Sequence, residues 1–255
     1  MSRTYKALQR AEKENGKEQA KQNGSYSNGN GFSSNGHHAA KIYRDPQASV
    51  LEYEKIGAWL ANPAAPGKRL QTVMVVAPHA GTGNTTTAAL LAETLANVKR
   101  RRVLIIDSNF RTPGLNMVFQ VKNEGGFIEA ASDGVPFEAH IQPTNRPNLF
   151  VLTSGRISLS AAEVFDGDAI DQLIRKLREK FDFILFDAAP VIDFPDALAL
   201  ASKVDSIILV TQSERTSIED AQRAKMNLEQ AGGRLLGVVL NRERDYTPFF
   251  LRKFL

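Results

Sequence analysis

Cysteine is absent from the 255 residues. A disulfide frame and a Cys-ligated metal site are therefore excluded, and the chain suits a reducing compartment. Long apolar runs are missing too. None approaches the ~20 residues of a membrane-spanning helix, and the chain does not open on a secretory leader. Histidine is scarce. His37, His38, His79 and His140 lack metal-ligand spacing, and the adjacent pair sits in a Gly/Asn/Ser tract that reads as linker. Net charge is only +4 and unevenly placed: residues 1–47 carry eight Lys/Arg against four Asp/Glu, and the other 24 of each sign cancel. A neutral globular part lacks the basic footprint of a nucleic-acid groove. The basic arm suits a solubilising tail or contact with an anionic surface. These absences lead us to expect a cytoplasmic protein with no integral membrane segment.

Residues 1–45 read as a largely disordered basic arm. MSRTYKALQRAE can start a short helix, with Ser2 as cap, but QNGSYSNGNGFSSNGHH has almost nothing to bury. Composition changes near residue 46. SVLEYEKIGAWLAN predicts a helix ended by PAAPG. Strands are expected at LQTVMVVA, RVLIIDS, NLFVLTS, FDFILFDA, DSIILVTQ and RLLGVVLN. They are short apolar runs without clean alternation, as in strands buried on both faces. Helices are expected at Thr85–Val98, Asp168–Lys180, Asp196–Ala201 and Ser217–Ala231. The alternation predicts an α/β domain over residues 46–245: a doubly wound, mostly parallel sheet flanked by helices, with ligands at the carboxyl ends of the strands. Residues 246–255 form an apolar tail, YTPFFLRKFL, read either as packing on the last strand or as a docking segment.

The chemistry centres on VVAPHAGTGNTTTAALLAETLA, residues Val75 to Ala96. An apolar strand runs into a Gly-rich turn and then a helix, the layout of a phosphate-binding loop, G-x-x-x-x-G-K-[ST]. Backbone N–H groups and the helix N-terminus point at the anion. Gly81 and Gly83 permit close approach, Thr85 can offer a hydroxyl to Mg²⁺, and Thr86 can contact phosphate. The lysine position holds Asn84. Two further strands end in Asp107 and Asp187, which a parallel sheet brings to the same edge. Two carboxylates and a threonine there suit hydrated Mg²⁺. The plainer alternative is that both aspartates cap strand–loop turns.

Together these motifs resemble the deviant-Walker P-loop ATPases, and within them the bacterial tyrosine kinases of capsule and exopolysaccharide synthesis. VLIIDSNFRTPGLNMVF is similar to that family's second Walker element, FDFILFDAAPVIDFPDALALASKVDSIILVTQSERTS to its Walker B run, and GVVLNR to its final strand. The resemblance covers about Glu52 to Asn241. It implies ATP or ADP with Mg²⁺ as cofactor. Gly81, Thr82, Gly83, Asn84, Thr85, Thr86 and Asn241 would bind nucleotide, and Asn241 would face the adenine. Thr85, Asp107 and Asp187 would hold the metal, with Asp107 also as the catalytic carboxylate. The implied partner is the cytoplasmic portion of a membrane polysaccharide polymerisation or export protein, at the inner membrane, together with assembly into a homo-oligomer.

Departures from the family's pattern cluster at the reaction centre. Asn84 replaces the lysine, and Asn109 replaces the second aspartate of the second Walker element. Of the C-terminal tyrosine cluster only Tyr246 remains as a phosphoacceptor. The oligomer-forming E-x-x-R-x-x-R reads Glu52, Lys55, Ala58. His79 stands where the chromosome- and septum-positioning ATPases carry an extra lysine, and Arg111 and Arg215 are candidate compensating cations. The departures point to a degenerate kinase-like protein that regulates or scaffolds polysaccharide export, with weak or no phosphoryl transfer. An active ATP-dependent tyrosine autokinase and a partitioning-type positioning ATPase stand as alternatives.

Overall fold

The computed structural model describes residues 38–43, 46–61, 70–98, 101–132, 136–156, 165 and 168–243. Eight strands form one sheet: β1 (His38–Tyr43), β2 (Thr72–Val76), β3 (Val103–Ser108), β4 (Gln142–Pro143), β5 (Leu149–Leu152), β6 (Phe183–Ala188), β7 (Ser206–Gln212) and β8 (Leu235–Glu243). Their order is β1-β8-β7-β2-β6-β3-β5-β4. Neighbours are parallel throughout, except for antiparallel β4 and β5.

Every residue of β2, β3, β6 and β7 is buried, which is why these strands read as continuous apolar runs. The two-residue period divides them between two cores. Val73, Val75, Val103, Ile105, Phe183 and Leu185 face one side; Met74, Val76, Leu104, Ile106, Ile184 and Phe186 face the other. The first core is covered by α1 (Pro46–Ala61), α2 (Asn84–Val98) and α3 (Leu115–Phe119), through residues such as Ile56, Leu91 and Leu115. The second lies under α4 (Phe127–Ser132), α5 (Asp168–Lys180), α6 (Asp196–Ala201) and α7 (Ile218–Gln230), through Phe127, Leu177, Leu200 and Leu228. The expected doubly wound sheet is the observed one.

The sheet begins at His38, eight residues ahead of the domain start expected near residue 46. The parallel partner of β1 is β8, with His38 opposite Gly237, so part of the expected arm completes the ladder. The expected N-terminal helix, the tail from Tyr246 onward and the linker character of His37 concern residues outside the described set. At the amino end of the strands Asp205 acts as a clamp. Its Oδ2 accepts from the N–H groups of Gln71 and Thr72 at 2.9 and 2.8 Å. Its two oxygens also take Arg178 Nη1 and Nη2, each at 2.9 Å. This fixes the start of β2 against the last turn of α5, leaving the carboxyl end of β2 to shape the loop that follows.

Candidate functional site

Between β2 and α2 the chain runs Ala77–Gly83. Gly81 and Gly83 have φ of 77° and 92°, a left-handed conformation that glycine adopts without a Cβ penalty. The turn places Gly83 O to accept from Thr87 N at 2.9 Å, starting α2. Other elements brace the loop. Thr82 Oγ1 donates to His79 O at 2.6 Å. After β6, Val191 N and Ile192 N donate to Ala77 O and Pro78 O at 2.9 and 3.1 Å. Asn241, at the end of β8, donates its amide to Thr82 O at 2.8 Å and is buried. It holds the loop from beneath; facing the adenine is the further role that the family resemblance implies for it.

Asn84 opens α2 with its amide turned inward. Nδ2 donates to Asp187 Oδ1 at 2.6 Å and lies 3.1 and 3.0 Å from Val75 O and Ala188 O. Asn84 thereby ties the phosphate loop to the ends of β2 and β6. Its Oδ1 is buried with no hydrogen-bond donor, and so is Asp187 Oδ2. Thr85 and Thr86 follow on the first turn of α2, both half-buried.

Asp107 and Asp187 are direct neighbours in the β3–β6 register and fully buried. Burial pushes the Asp107 carboxyl up to about 6, against the opposing pull of the Leu115, Gly114 and Asn109 N–H groups. Asp187 is raised well above the usual carboxylate range, first by burial and then by the charge of Asp107; the Thr85 hydroxyl and Asn84 amide pull the other way. Asp107 also has a structural task. Its Oδ2 accepts from Gly114 N and Leu115 N at 2.9 and 3.0 Å, capping α3, and Oδ1 accepts from Asn109 N at 3.2 Å. The plainer alternative of turn capping thus describes part of what Asp107 does, while Asp187 keeps an unbonded oxygen.

Asn109 spends its side chain on Thr112: Nδ2 donates to Thr112 Oγ1, and Oδ1 accepts from Thr112 N, both at 3.1 Å. The candidate compensating cations are engaged or exposed. Arg111 forks onto Asp196 at the start of α6, at 2.8 and 3.2 Å, and lies over the Phe194 ring. Arg215 is exposed in the turn after β7. One cluster went unnoticed in the sequence. His79 Nδ1 lies 2.6 Å from Asp193 Oδ1, and its Nε2 lies 3.4 Å from Asp220 Oδ2. Asp193 Oδ2 also accepts from Ala80 N at 3.0 Å. His79 thus joins the loop to the β6–α6 connection and the first turn of α7. No local motif links residues so far apart in the chain, so only the fold could reveal this. Tyr246 lies outside the described residues.

Glycines with left-handed φ at a helix N-terminus suit a phosphate chain. Buried carboxylate oxygen without a donor suits a cation. The site fits a magnesium nucleotide in both respects, with an uncharged amide at the lysine position. A family profile described as an AAA domain matches residues 70–233. The chain is 32% identical over 190 residues to the tyrosine-protein kinase CpsD of Streptococcus pneumoniae, covering 74% of this chain and 83% of that protein. Among solved structures, the chimerical protein CapA2B2 superposes with a TM-score of 0.74 at 25% identity, covering 81% of this chain and 94% of that one. The septum site-determining protein MinD of Pyrococcus horikoshii, complexed with Mg-ADP, gives a TM-score of 0.58 at 27% identity, covering 72% of this chain and 77% of its own. On these matches and on the loop and paired aspartates of its sheet edge, the chain belongs to the bacterial tyrosine-protein kinase family of P-loop proteins.

Proposed function

We propose that this protein is a degenerate, kinase-like P-loop module that regulates or scaffolds an exopolysaccharide or capsule export machine, with weak or no phosphoryl transfer. The observation that carries this reading is the Asn84 amide, bonded to Asp187 at 2.6 Å where the family pattern has a lysine. An uncharged donor cannot neutralise charge developing on a transferred phosphoryl group, and electrostatic stabilisation there is the main catalytic term. The second departure points the same way: Asn109 is committed to Thr112. Bound Mg²⁺ nucleotide would supply a phosphoryl donor. Gly81, Thr82, Gly83, Asn84, Thr85 and Thr86 would cradle its phosphates, and Thr85, Asp107 and Asp187 would hold its metal. The domain would act at the cytoplasmic side of the inner membrane, held there by the cytoplasmic portion of a polysaccharide export protein. Among the described residues no helix is long and apolar enough to cross a membrane.

The test is incubation of the full chain with Mg²⁺-ATP, followed by mass spectrometry for phosphotyrosine. Little or none is expected. Robust phosphotyrosine, at Tyr246 or elsewhere, would establish the second reading, an active autokinase. That reading draws support from the kinase name of a relative sharing 32% identity over most of both chains.

A further inference from the structure

His79 is the one titratable residue in the phosphate loop, Ala77–Gly83. Both of its ring nitrogens face carboxylates from other elements. Nδ1 lies 2.6 Å from Asp193 Oδ1, and Nε2 lies 3.4 Å from Asp220 Oδ2. The other oxygen of each carboxylate is also engaged. Asp193 Oδ2 accepts from Ala80 N at 3.0 Å, so one carboxylate grips two consecutive loop residues. Asp220 Oδ1 accepts from Arg223 Nη2 at 2.8 Å. The charged groups facing the ring are thus Asp193 from the β6–α6 connection and Asp220, backed by Arg223, from α7. Glu219, in the same first turn of α7, is exposed. The Asp220 carboxyl is held below its usual range: burial raises it, but the Ser217 hydroxyl, the His79 ring and Arg223 outweigh burial. His79, Asp193 and Asp220 all keep partial contact with solvent, so the ring exchanges protons directly with water.

An imidazole with one hydrogen cannot serve both carboxylates. With that hydrogen on Nδ1 it bonds Asp193, and the Nε2 lone pair then points toward an Asp220 oxygen, acceptor against acceptor. The imidazolium carries a hydrogen on each nitrogen and a charge that both carboxylates attract. We propose that His79 positions the phosphate loop as a proton-operated latch, closed on Asp193 and Asp220 together when the ring holds two hydrogens and open on the Asp220 side when it holds one. The proton leaves to water, and Asp193 keeps its grip on His79 and Ala80 in both states. Histidine is the side chain whose charge changes between about pH 5 and 8. The closed latch braces the loop from α7 while Gly81 and Gly83 hold their left-handed turn, with φ of 77° and 92°. A loop already braced in its binding form loses less freedom when phosphate arrives, so the latch favours nucleotide on the acid side of that range. This last step rests on the nucleotide reading of the loop; the latch itself does not.

The test uses the full chain without nucleotide, its histidine rings labelled with nitrogen-15, and follows each ring nitrogen against pH by long-range proton–nitrogen NMR. His79→Gln identifies the His79 signals by their loss. On the acid side, near about pH 5, both His79 nitrogens are expected to carry hydrogen; near about pH 8.5 the single hydrogen should sit on Nδ1. Asp193→Asn should move that hydrogen to Nε2, and Asp220→Asn should shift the ring's protonation curve to lower pH. Each variant is checked for native fold by near-ultraviolet circular dichroism; should Asp193→Asn fail to fold, Asp220→Asn decides. In isothermal titration, His79→Gln should weaken Mg²⁺-ADP binding roughly threefold near about pH 5 and leave it unchanged near about pH 8.5. A neutral parent ring with its hydrogen on Nε2 overturns the latch, and so does an Asp220→Asn curve that matches the parent's. Equal Mg²⁺-ADP affinities of parent and His79→Gln at both pH values overturn the positioning role. If neither protein binds Mg²⁺-ADP at all, the nucleotide reading falls, and the ring measurements alone decide the latch.

Discussion

Asn84 is short enough to be caught by the strand ends beneath it. Its amide satisfies Asp187 Oδ1 and shares itself between Val75 O and Ala188 O, so it faces the strand ends. A charged hydrogen bond to phosphate contributes roughly 1.5–3 kcal/mol. Asn84→Lys is therefore expected to tighten ATP binding by about 10–100-fold in isothermal titration. Unchanged affinity in a folded variant would remove position 84 from phosphate binding. The paired aspartates yield a second prediction. Their carboxyls are raised in the folded state, Asp107 to about 6 and Asp187 in the same direction, so the folded protein holds these protons more tightly than the unfolded chain. Their stabilisation is fully present below the usual value of 3.8 and is lost as pH rises through about 6. In EDTA and without nucleotide, Asp187→Asn should stabilise the protein at pH 8 and change little at pH 4. Equal effects at both pH values, in urea titrations, would contradict this.

The long helices and the six-residue Asp196–Ala201 declared themselves locally, whereas α3 and α4 did not. The helix after the phosphate loop was expected at Thr85–Val98 and runs Asn84–Val98. Ser217 caps α7 by accepting from Asp220 N at 3.0 Å, a local device legible in sequence. By contrast α3 has only five residues, and its N-terminus is capped by Asp107 at the end of the preceding strand β3. The N–H of Phe127, first residue of α4, is bonded to Thr153 O at 2.7 Å, 26 residues on. Such pieces are too short to be stable alone, so tertiary partners decide them. The Asp205 clamp was equally hidden, since Gln71, Thr72, Arg178 and Asp205 meet only when β2, α5 and β7 are assembled. Asp205→Ala strands Arg178 and two backbone donors, and is expected to cost about 2–4 kcal/mol in urea unfolding. The clamp lies at the opposite sheet edge from the loop, so nucleotide affinity measured on the folded variant should stay unchanged.

Across the whole molecule, one sheet divides two apolar cores and delivers the loop and both aspartates to a single edge. The surface of α1 bears on assembly. Lys55 Nζ is paired with Glu52 Oε1 on the same helix at 2.7 Å, and Ala58 takes the third place of the family's oligomer-forming pattern. Lysine lacks the planar fork that grips a carboxylate on a neighbouring subunit, and here it is already occupied within its own helix. The isolated protein is accordingly expected not to form a stable eight-membered ring. A discrete eightfold mass in light scattering at micromolar concentration would overturn this.

By itself the sequence determined the fold class, the six central strands, the phosphate loop and the meeting of Asp107 with Asp187. Each of these follows from short-range information: apolar runs of strand length, glycines before a helix, and the rule that parallel strands end on one edge. Only the tertiary structure decided what the site residues do there. It turned Asn84 toward Asp187, committed Asn109 to Thr112 and Arg111 to Asp196, set Asn241 beneath the loop, and placed His79 between two aspartates from other elements. The reason is physical. A side chain's role is set by the donors and acceptors within about 3 Å of it, and in a doubly wound sheet most of those come from strands far away in the chain.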